Sequence, residues 1–261
     1  MTSINHDPET FGYRTSMTEG HEALALWLRR LEIRSPLTDF DRAAVMGLPG
    51  QIRRYASSRD VVRLGERTQH SCLVVDGIVA RFGQTSEGHR QLTALYIPGD
   101  MADLHSAVLP VVTAPLQSTM TATILSIPHD FLRRAAERSP TLARALWRDC
   151  VADAQIASEW LLNVGRRSAL AKVAHLLCEL SCRYQAIGLP HQSFALTLTQ
   201  THIGEALGLT GVHVNRMMRT LRDRGLIETE GNVLHIRDWK ALAAVGDFDP
   251  GYLHLRRETD G

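Results

Sequence analysis

The stretch LTQTHIGEALGLTGVHVNRMMRTLRDRGLIETEGNVLHI, residues 198–236, decides how this chain is read. Thr199 stands just ahead of Ile203, Ala206 and Leu207, which recur at helical spacing, so its hydroxyl can accept from the free amides of a first turn. A short helix is expected from about residue 200 to 207. Gly208 then permits a left-handed backbone, and Leu209 can plug the angle between two steeply crossed helices. Thr210 caps a second helix, in which Val214, Met217, Met218 and Leu221 make one inward apolar stripe. Its other face carries Gly211, Val212, Asn215, Arg216, Arg219 and Arg222. Gly225 ends that helix, and residues 226–228 and 233–236 can pair across a Glu230-Gly231-Asn232 turn. Helix, glycine turn, helix and hairpin form a winged helix-turn-helix pattern.

The chemistry of the second helix points the same way. From Thr210 to Arg224 it holds four arginines against one acid, Asp223, in a chain whose formal net charge is +1. Such a helix suits the major groove of DNA, where arginine can donate twice to guanine and asparagine can pair with adenine. Arg216 is the first candidate for base contact, with Val212, Asn215 and Gly211 beside it. Arg219 and Arg222 lie further along, away from the groove floor; with Thr199, Gln200 and Thr210 near helix N-termini they suit phosphate contacts, which set register rather than sequence preference. The competing reading of an arginine-rich helix is a solvated face, and the joint occurrence of caps, turn and hairpin weighs against it.

At 261 residues and 44% hydrophobic content the chain is long enough for two domains. It has no apolar run of about 18 residues or more, and its polar start, MTSINHDPETFGYRTSMTEG, lacks an apolar signal-peptide core; the expectation is a cytoplasmic protein that does not enter a membrane. The four cysteines, Cys72, Cys150, Cys178 and Cys182, are too scattered for a disulfide framework or a thiolate-held cluster. Cys178 and Cys182, one turn apart, read as packing residues, a shared metal or an oxidation-sensitive pair being the alternatives. No Ser-His-Asp order, HExxH, GxxxxGKS or GxGxxG motif points to an enzyme, and no metal site is expected.

Upstream, the period changes along the chain. Residues 1–20 read as a flexible tail, and 21–33 and 39–47 as helices, with Ala23, Leu24, Trp27, Leu28 and Leu31 on one face. Short strand candidates follow at 52–55, 61–64, 72–75, 78–82, 91–97, 117–121 and 123–127, separated by turns such as Asp76-Gly77 and Pro98-Gly99-Asp100. This spacing suggests a small antiparallel barrel or roll. Helices are expected at 130–138 and then at 140–164, where Leu142, Leu146, Cys150, Asp153, Ala157, Trp160 and Val164 alternate at three and four. That is a heptad seam, which predicts a coiled-coil dimer contact; packing of the same stripe on its own roll is the alternative, kept open by Asp153. Gly165-Arg166-Arg167 interrupts the helix, Ser168 caps the next, and Val173, Leu176, Leu177 and Leu180 face inward along 169–184. The organisation is α+β: a tail (1–20), an effector roll with flanking helices (21–139), a dimerisation helix (140–164), a hinge (165–168) and a winged helix-turn-helix with a C-terminal extension (169–261).

Roll, long helix, hinge and winged helix-turn-helix, in that order, resemble the Crp/Fnr superfamily of bacterial transcription regulators over nearly the whole chain. The resemblance is strongest in IGEALGLTGVHVNRMMRTLRDRGLI and is supported by IPGD (97–100), GRRSALAKVAHLLCEL (165–180) and FDPGYLHL (248–255). It implies a cyclic-nucleotide-binding-like, cupin-like roll and a homodimer that binds near-palindromic DNA and is reoriented by an effector. Departures narrow it. Members that read the best-known half-site carry a glutamate where Val212 stands, so the half-site should differ, with a thymine methyl a better match for valine. Members that bind cyclic AMP use Gly-Glu-Leu and Arg-Ser; the matching positions here are Gly99-Asp100-Met101 and Val111-Val112, so cyclic AMP is not the expected effector and Gly99 and Asp100 read as a plain turn. Some members bind haem through histidine, which makes His105 a candidate ligand; the favoured reading is a hydrogen-bonded structural histidine with no cofactor.

The expectation is therefore a homodimeric, sequence-specific regulator whose partners are double-stranded DNA, a second copy of the chain and RNA polymerase, with its effector unidentified. The rival is a ligand-binding sensor whose winged helix mediates protein contacts.

Overall fold

The structure, a computed structural model, describes residues 8–190 and 192–255, with side chains from Thr18 onward. Helix α1 (Pro8–Arg34) turns Ala23, Leu24, Trp27 and Leu31 inward on one face. It begins earlier than its polarity suggests: residues 8–20, read as tail, belong to it, because a helix needs an apolar stripe only where it meets the core. Residues 1–7 of the expected tail lie outside the described residues. Helix α2 (Asp39–Met46) starts at a capping box between Thr38 and Asp41.

Seven strands follow: β1 (Gln51–Tyr55), β2 (Asp60–Val62), β3 (His70–Asp76), β4 (Val79–Gln84), β5 (Arg90–Tyr96), β6 (Leu116–Ser118) and β7 (Ala122–Pro128). They form two antiparallel sheets, ordered β1-β7-β3 and β2-β6-β4-β5. The pleat sends alternate residues to opposite faces. Cys72, Val74, Val79, Tyr96, Ala122 and Ile124 meet between the sheets, while Leu73, Leu125 and Ile127 point outward onto α1. Ala80, Leu92 and Leu95 point outward on the other side, into a core shared with the C-terminal half of the chain. Strand β7 is thus covered on both faces, which is why it reads as a nearly continuous apolar run.

Helices α3 (His129–Arg138), α4 (Pro140–Arg166) and α5 (Ala169–Ala186) come next. Thirteen of the 18 residues of α5 are buried, as expected of a helix enclosed on all sides. Cys178 and Cys182 are part of that interior, and burial pushes both thiols up, Cys182 to about 12. The rest of the chain is β8 (Ser193–Ala195), α6 (Gln200–Leu207), α7 (Gly211–Asp223), β9 (Ile227–Glu230), β10 (Val233–Ile236), α8 (Trp239–Gly246) and a 3-10 turn, Pro250–Leu253. Strand β8 completes a three-stranded sheet ordered β8-β10-β9.

Helix α4 corrects the expected seam. Its inward stripe is Leu142, Ala145, Asp149, Ala152, Ile156, Trp160 and Asn163, so Leu142 and Trp160 are packed inside their own chain. Leu146, Cys150, Asp153 and Val164 are half-buried, and only Ala157 of the expected seam is exposed. The open stripe lies one residue further on, at Trp147, Val151, Ala154, Ser158 and Leu161. Two apolar faces about one residue apart on the same helix produced one merged 3-4 pattern in the sequence. The expected hinge is also shorter, since Gly165 and Arg166 are helical and the break falls at Arg167, with Ser168 capping α5.

Two local features set testable consequences. Gly204 of α6 has no room for a side chain, because an added Cβ would sit 2.5 Å from the Leu209 carbonyl oxygen, and the Leu209 N–H in turn donates to Gly204 O at 2.9 Å. Alanine gains about 0.5–1 kcal/mol of helix propensity over glycine, but the overlap is with backbone and costs about 1–3 kcal/mol. Gly204→Ala should therefore lower the thermal midpoint, whereas an unchanged or higher midpoint would contradict the close approach. Asp153, hydrogen-bonded by the Tyr96 hydroxyl at 3.3 Å, is pushed up to about 7 by burial, then by Asp149. A carboxyl raised in the folded state favours folding below its unfolded value and loses that contribution as pH climbs through the folded one. Asp153→Asn should gain about 1–2 kcal/mol relative to wild type between pH 5 and pH 8, discounting for partial solvation. Denaturant titrations at the two pH values measure it, and parallel curves for both proteins would refute it.

Candidate nucleic-acid interface

Local chemistry builds the reader. Thr199 accepts from the His202 amide at 3.1 Å while His202 Nδ1 accepts from the Thr199 amide at 3.3 Å, a reciprocal cap for α6. Gly208, at φ +64°, ends that helix in the left-handed region, and Thr210 caps α7 by accepting from the His213 amide at 3.2 Å. Gly225, at φ +69°, closes α7 in a Schellman arrangement, with Leu226 N–H donating to Leu221 O at 3.0 Å and Gly225 N–H to Arg222 O at 2.8 Å.

Val214, Met218 and Leu221 are buried beneath α7, and Met217 is half-buried. Val212, Asn215, Arg216, Arg219 and Arg222 are all exposed on the opposite face, Val212 by 83%. Gly211 is half-buried at the start of the same helix. Thr199, Gln200 and Thr210 are exposed as well, and the Gln200 backbone lies against Gly211 at the start of α7. The cap hydroxyls still have a proton to donate outward. Arg219 is 3.8 Å from Asp223, a solvent-exposed pairing that an incoming phosphate can displace.

The wing differs slightly from expectation. Glu230 is paired with Val233 inside the ladder, so the turn is Gly231-Asn232 alone, with Gly231 at φ +58°. Behind the reader lies a polar cluster with no local sequence signature. His175 on α5 is buried between the Gly246 carbonyl (3.2 Å) and the Tyr252 hydroxyl (3.1 Å), and burial, with Arg167, lowers its pKa. Glu179 accepts from Tyr252 (2.9 Å), Trp160 (2.8 Å) and Arg183 (3.0 Å). Its one sequence clue is a Glu-Arg pair at i, i+4 inside an otherwise apolar helix.

In the roll, a pocket of about 100 Å³ is lined by Val62, Arg81, Asp103, His105, Val111 and Leu116, among others. Arg81 is already engaged, donating to Ala102 O at 2.6 Å with its guanidinium 5.2 Å from the centre of the Tyr96 ring. Asp103 accepts from the Cys72 amide at 2.6 Å, and burial raises it to about 6. His105 is exposed in the 3-10 turn Leu104–Ala107. Gly99 does turn the chain, at φ +83°, but Asp100 is more than a turn residue: it is buried and ion-paired to Arg30 and Arg183. Burial alone would raise its carboxyl, and the two arginines hold it below the usual range instead.

Comparison with known proteins gives this geometry a lineage. Residues 171–245 match the Crp-like helix-turn-helix domain. The transcriptional activator protein anr of Pseudomonas aeruginosa is 28% identical over 172 residues, covering 66% of this chain and 70% of that one. An anaerobic regulatory protein of Haemophilus influenzae is 25% identical over 185 residues, 71% of this chain and 72% of the relative. Among solved structures, FixK2 from Bradyrhizobium japonicum superposes with a TM-score of 0.69 at 25% identity, covering 76% of this chain and 98% of that one. A CRP/FNR-family regulator of Thermus thermophilus shares the fold at a TM-score of 0.56 and 14% identity, over 76% of this chain and 99% of its own. No described helix is long and apolar enough to cross a membrane. The C-terminal part of the chain thus carries a Crp-like helix-turn-helix, and the chain is similar in sequence and fold to transcription regulators of the Crp/Fnr superfamily.

Proposed function

We propose that the protein acts as a homodimer that reads an inverted-repeat duplex with helix α7, under an effector other than cyclic AMP or without one. The observation that carries this reading is the outer face of α7, where Val212, Asn215, Arg216, Arg219 and Arg222 stand exposed on a helix anchored from below by Val214, Met218 and Leu221. In the major groove Arg216 donates to guanine O6 and N7, and Asn215 and Val212 reach neighbouring base edges past the small Gly211. Arg219 and Arg222, with Thr199, Gln200 and Thr210, hold the backbone on either side.

The open stripe of α4 supports the dimer. Trp147, Ala154 and Leu161 alternate with Val151 and Ser158 at four and three, the spacing of a coiled-coil seam. Trp147 is 69% and Leu161 76% exposed in the single chain, an arrangement that a twofold partner helix would bury. The roll pocket favours an effector other than cyclic AMP. Its wall holds Val111 and Val112, and Arg81, which lines it, already donates one N–H to the Ala102 carbonyl beside the Asp103 carboxyl, a lining that disfavours a phosphate.

Arg216→Ala should cost about 1–3 kcal/mol in affinity and relax the preference at one base pair of each half-site, while Arg219→Ala weakens all sequences alike. Anisotropy titrations against duplexes varied one pair at a time test this; equal losses on every variant for Arg216→Ala would refute base reading. Leu161→Glu should give a folded monomer in sedimentation experiments, since two buried glutamates cannot face each other across a seam. A stable dimer of that variant would place the interface elsewhere.

A further inference from the structure

A chain of buried charges runs through the middle of the molecule and joins segments distant in sequence. Arg30 of α1 pairs with Asp100 in the turn after β5, and Asp100 pairs with Arg183 of α5 at 2.7 Å. Arg183 also donates to the Leu95 carbonyl at 2.6 Å and pairs with Glu179 at 3.0 Å. Glu179 takes Trp160 of α4 and Tyr252 of the C-terminal turn as further donors. Arg30 and Arg183 are each only 3% exposed.

Stability does not account for this chain. Buried ion pairs repay their desolvation only when every donor is satisfied, and well-packed apolar groups of similar volume are often as good or better. Here Arg30 Nε, Arg30 Nη2 and Arg183 Nε are buried with no hydrogen-bond partner among the described residues. What charges add, and an apolar seam lacks, is direction. The surrounding apolar contacts, to which Leu92, Leu95 and Ile97 of the roll and the buried face of α5 contribute, attract without preferred direction. A carboxylate held between two guanidiniums has a fixed one.

Helix α5 is the piece being held, and α5 packs directly on α7. The same docking brings α6 against the edge strand β5, where Gln91 Nε2 donates to Ala206 O at 3.0 Å and Arg90 lies 3.5 Å from Glu205. In this arrangement the reading face of α7 is unobstructed. We infer that Arg183, with Asp100 and Arg30, positions the reader: the buried ions fasten α5 to the roll and to α1, and so hold α7 displayed at the angle that binds DNA. A reader held this way gives up less orientational freedom on binding.

The inference rests on the DNA-reading proposal for its affinity measurement only. The test uses the full chain with Arg30→Met, Asp100→Leu and Arg183→Met together, which replaces the ions by apolar groups and leaves Glu179 its Trp160 and Tyr252 donors. Thermal midpoint, amide hydrogen exchange at 90–96, 200–207 and 211–223, and affinity for a fluorescent duplex of the top-ranked sequence that wild type recovers from a random pool are measured. The expected result is a folded protein whose exchange at the β5–α6 contact is at least tenfold faster, whose α7 amides stay protected, and whose affinity is at least tenfold weaker with unchanged base preference. Wild-type or tighter affinity, or unchanged exchange at the contact, overturns the inference. If the triple variant does not fold, Arg183→Lys serves: it keeps the charge but cannot reach Asp100, Glu179 and Leu95 O together, so about threefold weaker binding is expected and wild-type binding overturns the inference. Failure of wild type to recover any sequence would count against DNA reading, while the exchange experiment would still judge the fastening.

Discussion

The outer face of strands β4 and β5 is apolar, with Ala80, Leu92 and Leu95 directed away from the roll, and a sheet cannot leave such a face in water. Helices α4, α5 and α6 close over it in one core, and much of the architecture follows. Within that core α5 is buried on nearly every side, and it serves as the floor for α7 and α8. The roll and the reader therefore share one continuous core instead of hanging from a flexible joint. Helix α4, which has to carry the chain from the roll to the start of α5, keeps one stripe for its own protomer and leaves another open.

That shared core explains where polar residues are tolerated inside it. Glu179 and Arg183 lie on α5 where an apolar pair would fit a simple packing role, and each finds charged or hydrogen-bonding partners from other elements. Asp149 on the inward stripe of α4 is similarly held, by Arg34 and by Trp27 Nε1 at 3.4 Å. These contacts tie α1, α4, α5 and the C-terminal turn to one another. They also make the Pro250–Leu253 turn part of the interior framework, since Tyr252 reaches Glu179 and Leu253 accepts from Arg34 at 3.4 Å.

What the sequence disclosed, and what it hid, divides along the range of the interactions. The reader was legible because its determinants are local: Thr199, Thr210, Gly208 and Gly225 act within a turn of their own positions, and the Val214–Leu221 stripe has a single period. The strands were legible from alternation and turns. The register of α4 was not, because its inward and outward stripes interleave at the same spacing and Trp160 fits either. Nor was the role of Asp100, whose partners stand 70 and 83 positions away and cannot be guessed from spacing. Strand β8 and helix α8 were missed because short elements without strong periodicity take their structure from the surface they cover.

On the proposed function, two copies of α7 joined through α4 read one twofold-symmetric site. Selection of bound sequences from a pool of random duplexes by the purified protein, without added ligand, probes this. An enriched inverted repeat is expected, with half-site centres about one helical turn, roughly 34 Å, apart, occupied by two chains per duplex. Recovery of no preferred sequence, or of a single half-site bound by one chain, would contradict it.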